Sequence, residues 1–414
     1  MSGHNNMGRA TAAEMQQKES MRKLSGFFAA VLITVLATAG GAAAGPGGGK
    51  GGGNGNGGGG NGGGGGAPTA IVTMGDSYIS GEAGRWQGNW ATFEGNRGGT
   101  DRAAYKRRGV WYYDAARVYG GTVDQCHRSD VSEVLNNGIA VDAKINLACS
   151  GAETANIFRS SNGGLSLKGE APQADQLAGV AASHDVEMIV LSIGGNDLGF
   201  ADIIIDCTIE YNTSPSWWPN TCNGEQQDNV DARMSSAMAG VGKALDEIRA
   251  VMTAAGQDDS SYRLVVQSYP SPIPRGGEIR YSESGWSRTS TGGCPFWDVD
   301  ATWARDSLVP QIADNLAGVA AAKGAEFLDL RDQLEDREVC STSTSHGSGS
   351  SAEWARFLVT GLTQGVAQES MHPNALGQRA TGTCLTLLFS ATPGSYACTN
   401  VAGSGPGTMN LSGT

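Results

Sequence analysis

The sequence predicts an α/β fold, a layered sandwich of helices around a mostly parallel sheet of about five strands. Three observations carry this. Short apolar runs recur along the chain; stretches with helical period separate them; and polar or glycine-rich clusters stand where the apolar runs end.

The first run, Ala70 to Met74, stops at Gly75-Asp76-Ser77. The second, Ala140 to Leu147, stops at Ala148-Cys149-Ser150-Gly151, and its polar–apolar alternation places it nearer a sheet edge. The third, Val186 to Ile193, stops at Gly194-Gly195-Asn196-Asp197. Arg263 to Ser268 and Ala325 to Leu330 are the fourth and fifth. The first, third and fourth are the near-continuous apolar runs of strands buried on both faces. Between them, Val230 to Ala255 carries Met234, Met238, Val241, Leu245, Ile248 and Met252 at spacings of three and four, which predicts a helix. Further helices are expected over Ala301 to Ala322 and Ala375 to Phe389. Three segments break the rhythm: Asp206 to Asn229, Arg275 to Val299 and Glu335 to Gly365. Each holds a cysteine and a tryptophan, so each is expected to be a disulfide-pinned loop insertion.

Four parts follow from composition along the 414 residues. Residues 1–44 read as a leader and secretory signal: Met21-Arg22-Lys23, an apolar core from Phe27 to Ala37, then Ala42-Ala43-Ala44, with Met21 a candidate start. That core falls short of the roughly 20 apolar residues of a membrane span, so no stable membrane insertion is expected. Residues 45–66 are a Gly/Asn-rich linker with almost nothing to bury. Residues 67–398 are the folded domain, and 399–414, rich in Gly, Ser and Thr, read as a flexible tail. The net charge of −12 argues against nucleic-acid binding. The domain reads as an extracellular monomer.

All eight cysteines lie beyond the signal. An even count in an exported chain points to disulfides. Pairing each with its neighbour gives Cys126–Cys149, Cys207–Cys222, Cys294–Cys340 and Cys384–Cys398. No C-x-x-C pair suggests zinc, and nothing in the chain asks for a metal or cofactor.

In open parallel sheets, ligands sit beyond the C-terminal ends of the strands. Ser77 closes the first strand there, where a strand-to-helix turn projects a hydroxyl outward; taken alone it is equally well a helix cap. His372, in Glu369-Ser370-Met371-His372-Pro373-Asn374, stands in the loop before the last helix and can swing back toward that edge. The backbone N–H groups of Ser77 and Gly151 and the side-chain amide of Asn196 could converge on a developing oxyanion. Asp76 and Asp197 are expected to bond turn amides rather than transfer protons. Tyr78, Trp86, Trp90, Trp217, Trp218 and Trp286 lie near the presumed mouth; the Trp217-Trp218 pair is expected to plug its loop onto the domain, with lipid contact as the second reading.

Four weak motifs in this order resemble the SGNH, or GDSL-type, hydrolase family. Met74-Gly75-Asp76-Ser77 is similar to its first block, Gly151 in Ala148 to Ala152 to its second, Gly194-Gly195-Asn196-Asp197 to its third, and Glu369 to His372 to its last. The resemblance spans about Thr69 to Phe389. It implies a flavodoxin-like three-layer α/β/α sandwich, no cofactor, and secreted esterase or lipase activity on carboxylic esters through an acyl-enzyme on Ser77 with His372 as base. Carbohydrate deacetylation or acyl transfer on the same site, and a decayed binding module, are the alternatives. The family's usual aspartate is replaced by Glu369. That residue is the candidate third member of a triad, and a backbone carbonyl is its rival for orienting His372.

Overall fold

The computed structural model describes residues 66–89, 101–120, 125–345, 351–359 and 365–414; the signal, almost all of the Gly/Asn linker and Trp90 lie outside them. The strands are β1 (Thr69–Gly75), β2 (Ala104–Arg107), β3 (Val110–Tyr113), β4 (Ala143–Asn146), β5 (Asp185–Ser192), β6 (Arg263–Gln267), β7 (Glu326–Asp329), β8 (Ser395–Asn400) and β9 (Met409–Gly413). β2 and β3 form a separate antiparallel hairpin. The other seven make one sheet in the order β4-β1-β5-β6-β7-β8-β9, parallel except for the last pair.

The first five strands of that sheet have the flavodoxin-like order, in which the chain starts in the middle and builds outward both ways. The crevice where the direction reverses lies beside the C-terminal end of β1, so Ser77 emerges at the place such folds bind ligands. β4 is the edge strand, as its mixed pattern implied, while Ala70–Gly75 of β1 and Met188–Ser192 of β5 are almost wholly buried. Helices Gln173–Ala181 and Val309–Ala322 both pack against Asn223–Ala254, and Ala375–Ser390 packs with Glu133–Asn136. Together they supply the outer layers of the sandwich. Val230, Val241, Leu245, Ile248 and Met252 form the buried stripe that the helical spacing required. All four neighbouring-cysteine disulfides are present.

Three expectations are corrected. The sheet has seven strands, not five, because residues 399–414 are not a loose tail. Cys398 is tied to Cys384, β8 joins β7, and Met409, buried, leads β9 back along β8. The folded body therefore runs past residue 398. Next, Asp206 to Asn229 is not a loop excursion. Helix Phe200–Thr213 runs into it and Asn223–Ala254 begins within it, leaving a short disulfide-closed turn. Last, the helix expected over Ala301 to Ala322 is interrupted by a π turn at Ala304–Leu308.

Candidate active site

β1 ends at Gly75 with φ +136°, and a Cβ there would lie 1.8 Å from the Ser192 carbonyl oxygen. Only glycine permits that approach between β1 and β5. Gln173 then grips the same residue twice: Gly75 N–H donates to its Oε1 at 2.7 Å, and its Nε2 donates to the Gly75 carbonyl at 2.8 Å. Asp76 caps the one-turn helix Ser77–Ser80 by accepting from Tyr78 N–H. The Tyr269 hydroxyl donates to the other Asp76 oxygen at 2.5 Å and accepts from Gly195 N–H at 3.0 Å. Burial pushes the Asp76 carboxyl up to about 7. Asp76 thus joins the Ser77 turn to the Gly194–Asp197 turn, a structural role of the kind expected for it.

Ser77 is buried at the floor of this edge. His372 Nε2 lies 2.7 Å from its Oγ, although 295 residues separate them. The Nδ1 side of the ring faces the Ser370 carbonyl at 2.9 Å. A carbonyl can only accept, so Nδ1 carries the proton and Nε2 is left as the acceptor for the serine hydroxyl. Local backbone makes this possible. Met371 takes φ +61°, an uncommon conformation for a residue with a side chain, and its carbonyl accepts from the Tyr78 hydroxyl at 2.9 Å. The Tyr78 and His372 rings meet at 4.7 Å. Burial holds the imidazole below its ordinary pKa, opposed by the negative charge of Glu82 and by the Ser370 carbonyl.

Glu369 is not the partner of His372. Its carboxylate turns away into a buried cluster, 2.9 Å from Arg85 Nε, 2.9 Å from Trp86 Nε1 and 3.0 Å from the Tyr119 hydroxyl. Arg356 lies over the Trp86 ring at 3.6 Å. The cause is local: the tight turn Ala367–Glu369 is followed by extended Ser370 and left-handed Met371, which send residues 369 and 372 different ways. A carboxylate–histidine pair does exist nearby, at the wrong histidine for a triad. Buried Glu82 meets His127 Nδ1 at 2.7 Å, which raises the His127 pKa against its own desolvation.

Gly151 has φ +83°, a backbone state that disfavours any side chain. Its loop is held on both sides: Ser150 N–H donates to Cys126 O, and Thr154 N–H and Oγ donate to Asp197. Within the described residues the N–H groups of Ser77 and Gly151 make no hydrogen bond. The Asn196 amide donates to Ala152 O at 2.8 Å, so its side chain spans toward the Gly151 loop. Ser77, Gly151, Asn196 and His372 are therefore brought to one edge, and Glu369 is not. Sequence reasoning missed Tyr269, Gln173 and the Glu82–His127 pair. Only Tyr269 left a trace, as the residue closing a strand run at Tyr269-Pro270.

Trp86 is a buried Glu369 partner, not a mouth residue. Trp217, Trp218 and Trp286 are 81%, 73% and 79% exposed, so the Trp217-Trp218 pair does not plug its loop. Flanking prolines and the Cys207–Cys222 bridge hold that turn without them. Among the described residues there is no group of three or more His, Cys, Asp or Glu that could hold a metal, and no helix long and apolar enough to cross a membrane.

The extracellular lipase of Streptomyces rimosus is 21% identical, aligning over 77% of this chain and 98% of its own with a TM-score of 0.42. Phospholipase A1 of Streptomyces albidoflavus is 19% identical over 79% of this chain and 100% of its own, with a TM-score of 0.44. A carbohydrate acetylesterase of Sinorhizobium meliloti is 13% identical over 77% of this chain and 99% of its own, at 0.31. No curated protein matches the chain. The model of the GDSL-like lipase/acylhydrolase family matches residues 73–380, which covers Ser77, Gly151, Asn196 and His372, and this chain belongs to that family.

Proposed function

We propose that this chain is an exported serine esterase or lipase that hydrolyses carboxylic esters through an acyl-enzyme on Ser77. The 2.7 Å contact between Ser77 Oγ and His372 Nε2 supports the reading most strongly. His372 takes the serine proton as Oγ attacks the ester carbonyl, and later gives it to the departing alcohol. Ser370 O holds the Nδ1 proton throughout and so fixes the tautomer, the task a triad carboxylate performs elsewhere. The N–H groups of Ser77 and Gly151 and the Asn196 amide receive the negative charge on the tetrahedral oxygen. Water activated by the same imidazole then releases the acid. A dyad resting on a carbonyl suits a base whose pKa is already low, since it is unprotonated at neutral pH.

Export is supported by the signal-like segment before residue 45 and by four disulfides, which persist in oxidising surroundings. The test is covalent. A fluorophosphonate should label one residue, Ser77, with labelling abolished in Ser77→Ala and strongly slowed in His372→Ala. Labelling at another serine, or none in a folded protein, would end this reading.

A further inference from the structure

The hairpin β2–β3 has no part in the chemistry above, and its composition is unlike that of the rest of the chain. Between Asp101 and Asp114 stand Arg102, Lys106, Arg107 and Arg108 with no acidic residue, in a protein of net charge −12. Arg102 is neutralised by Asp130, at 2.6 and 2.9 Å. Lys106, Arg107 and Arg108 are exposed, and no carboxylate among the described residues pairs with them. Beside them Val110, Trp111, Tyr112 and Tyr113 are 56%, 39%, 46% and 48% exposed, a full strand of large apolar groups facing solvent.

The pairing sorts these groups. Tyr105 sits opposite Tyr112 and Lys106 opposite Trp111. The tyrosine rings stack at 5.6 Å, and the Lys106 ammonium lies 5.7 Å from the Trp111 ring. The connecting turn has positive φ at both Arg108 (+50°) and Gly109 (+85°), the tight hairpin turn that favours Asn or Asp at its first position. An arginine there costs local backbone energy and puts a third cation at the tip. At the root, the Tyr113 hydroxyl accepts from Arg85, the residue that grips Glu369. The hairpin is thus anchored to the cluster beneath the His372 loop.

Exposed aromatics interleaved with unpaired cations on a short rigid hairpin match the chemistry of an anionic lipid–water interface. Trp and Tyr rings settle at headgroup depth, and Lys and Arg gain from the surface potential of acidic lipids. Neutral ligands would leave the three cations without purpose, and a hydrophobic protein partner would have to bury them. We infer that the hairpin Ala104–Tyr113 docks the protein onto anionic lipid surfaces. The inference goes beyond the hydrolytic reading and does not depend on it, because docking needs no turnover.

The experiment is co-sedimentation of full-length Ser77→Ala protein with unilamellar vesicles. One set is phosphatidylcholine alone, the other an equal mixture of phosphatidylcholine and phosphatidylglycerol. The expected result is binding to the mixed vesicles that weakens as salt is raised, and little binding to phosphatidylcholine. The triple change Lys106→Gln, Arg107→Gln and Arg108→Gln should weaken that binding about 100-fold, from the worth of three cations at an acidic surface. Trp111→Ala with Tyr112→Ala should weaken it further at high salt, where only the apolar part remains. Thermal melting confirms that each variant is folded. Equal binding to both vesicle types, unchanged binding by the triple variant, or retention by polygalacturonate and not by mixed vesicles would overturn the inference. Failure of hydrolysis in the wild type would leave these readings intact, so the two hypotheses fail separately.

Discussion

Two histidines near this edge are dressed in opposite ways. His372 has the serine, but behind it only a carbonyl, 2.9 Å away at Ser370. His127 has the carboxylate, Glu82 at 2.7 Å, but no serine hydroxyl against its ring among the described residues. Burial lowers the pKa of the first, and Glu82 raises that of the second. A carboxylate makes an imidazole a stronger base and also leaves it protonated, and therefore useless as a base, over more of the neutral range. A carbonyl fixes the ring without that cost. The comparison teaches that orientation and basicity are separable, and that this site takes orientation from the backbone.

The comparison breaks most directly by removing each ring in turn. His372→Ala should lower kcat/KM on a short-chain nitrophenyl ester by about 10⁴-fold or more. His127→Ala should lower it by less than about 10-fold. Equal losses would erase the distinction drawn here.

A second effect is on stability. Glu369→Gln removes one partner of a buried ion pair and leaves Arg85 with Asp101 at 3.6 Å. The expected loss is about 3 kcal/mol in urea unfolding, with kcat on a soluble ester nearly retained. A large fall in kcat at unchanged stability would restore Glu369 to the catalytic apparatus.

The smallest effect is on pH. The working form of His372 is neutral, so kcat/KM falls as pH drops through its pKa in the free protein. Because that pKa is held below 6.5, the acid limb should have its midpoint below 6.5. Glu82 is the largest influence pulling the value back up, so Glu82→Gln should move the limb further toward acid. A limb above 6.5, or one moved upward by that change, would contradict the assignment. The Glu82–His127 pair has its own signature. Its His127 contribution to stability is complete below 6.5 and is lost as pH rises through the raised folded value.

That Ser77, Gly151, Asn196 and His372 meet at one edge was legible because parallel strands deliver their C-terminal ends there, and each of these residues follows a strand or precedes the last helix. The disulfides were legible because each joins cysteines that are neighbours in sequence order, 14 to 46 residues apart. Glu369 was misjudged because a spacing of three fixes reach but not direction. Its direction is set by Met371 at φ +61° and by Arg85, which is distant in sequence. Gln173 and Glu82 were invisible because each acts on a backbone group or ring that only folding brings near, and the strand end at Tyr269 gave no sign of its bond to Asp76. The last two strands were hidden by composition, since Gly and Ser in Val401–Thr408 mask the turn between Asn400 and Met409.

The clamp of Gln173 on Gly75 carries a consequence for substitution at position 173. One carboxamide there serves a donor and an acceptor of the same residue, as a neighbouring strand would. Glutamate has the right length but would set oxygen against the Gly75 carbonyl, and asparagine has the right chemistry but too little reach. The footing of the turn that carries Ser77 therefore depends on the carboxamide at position 173.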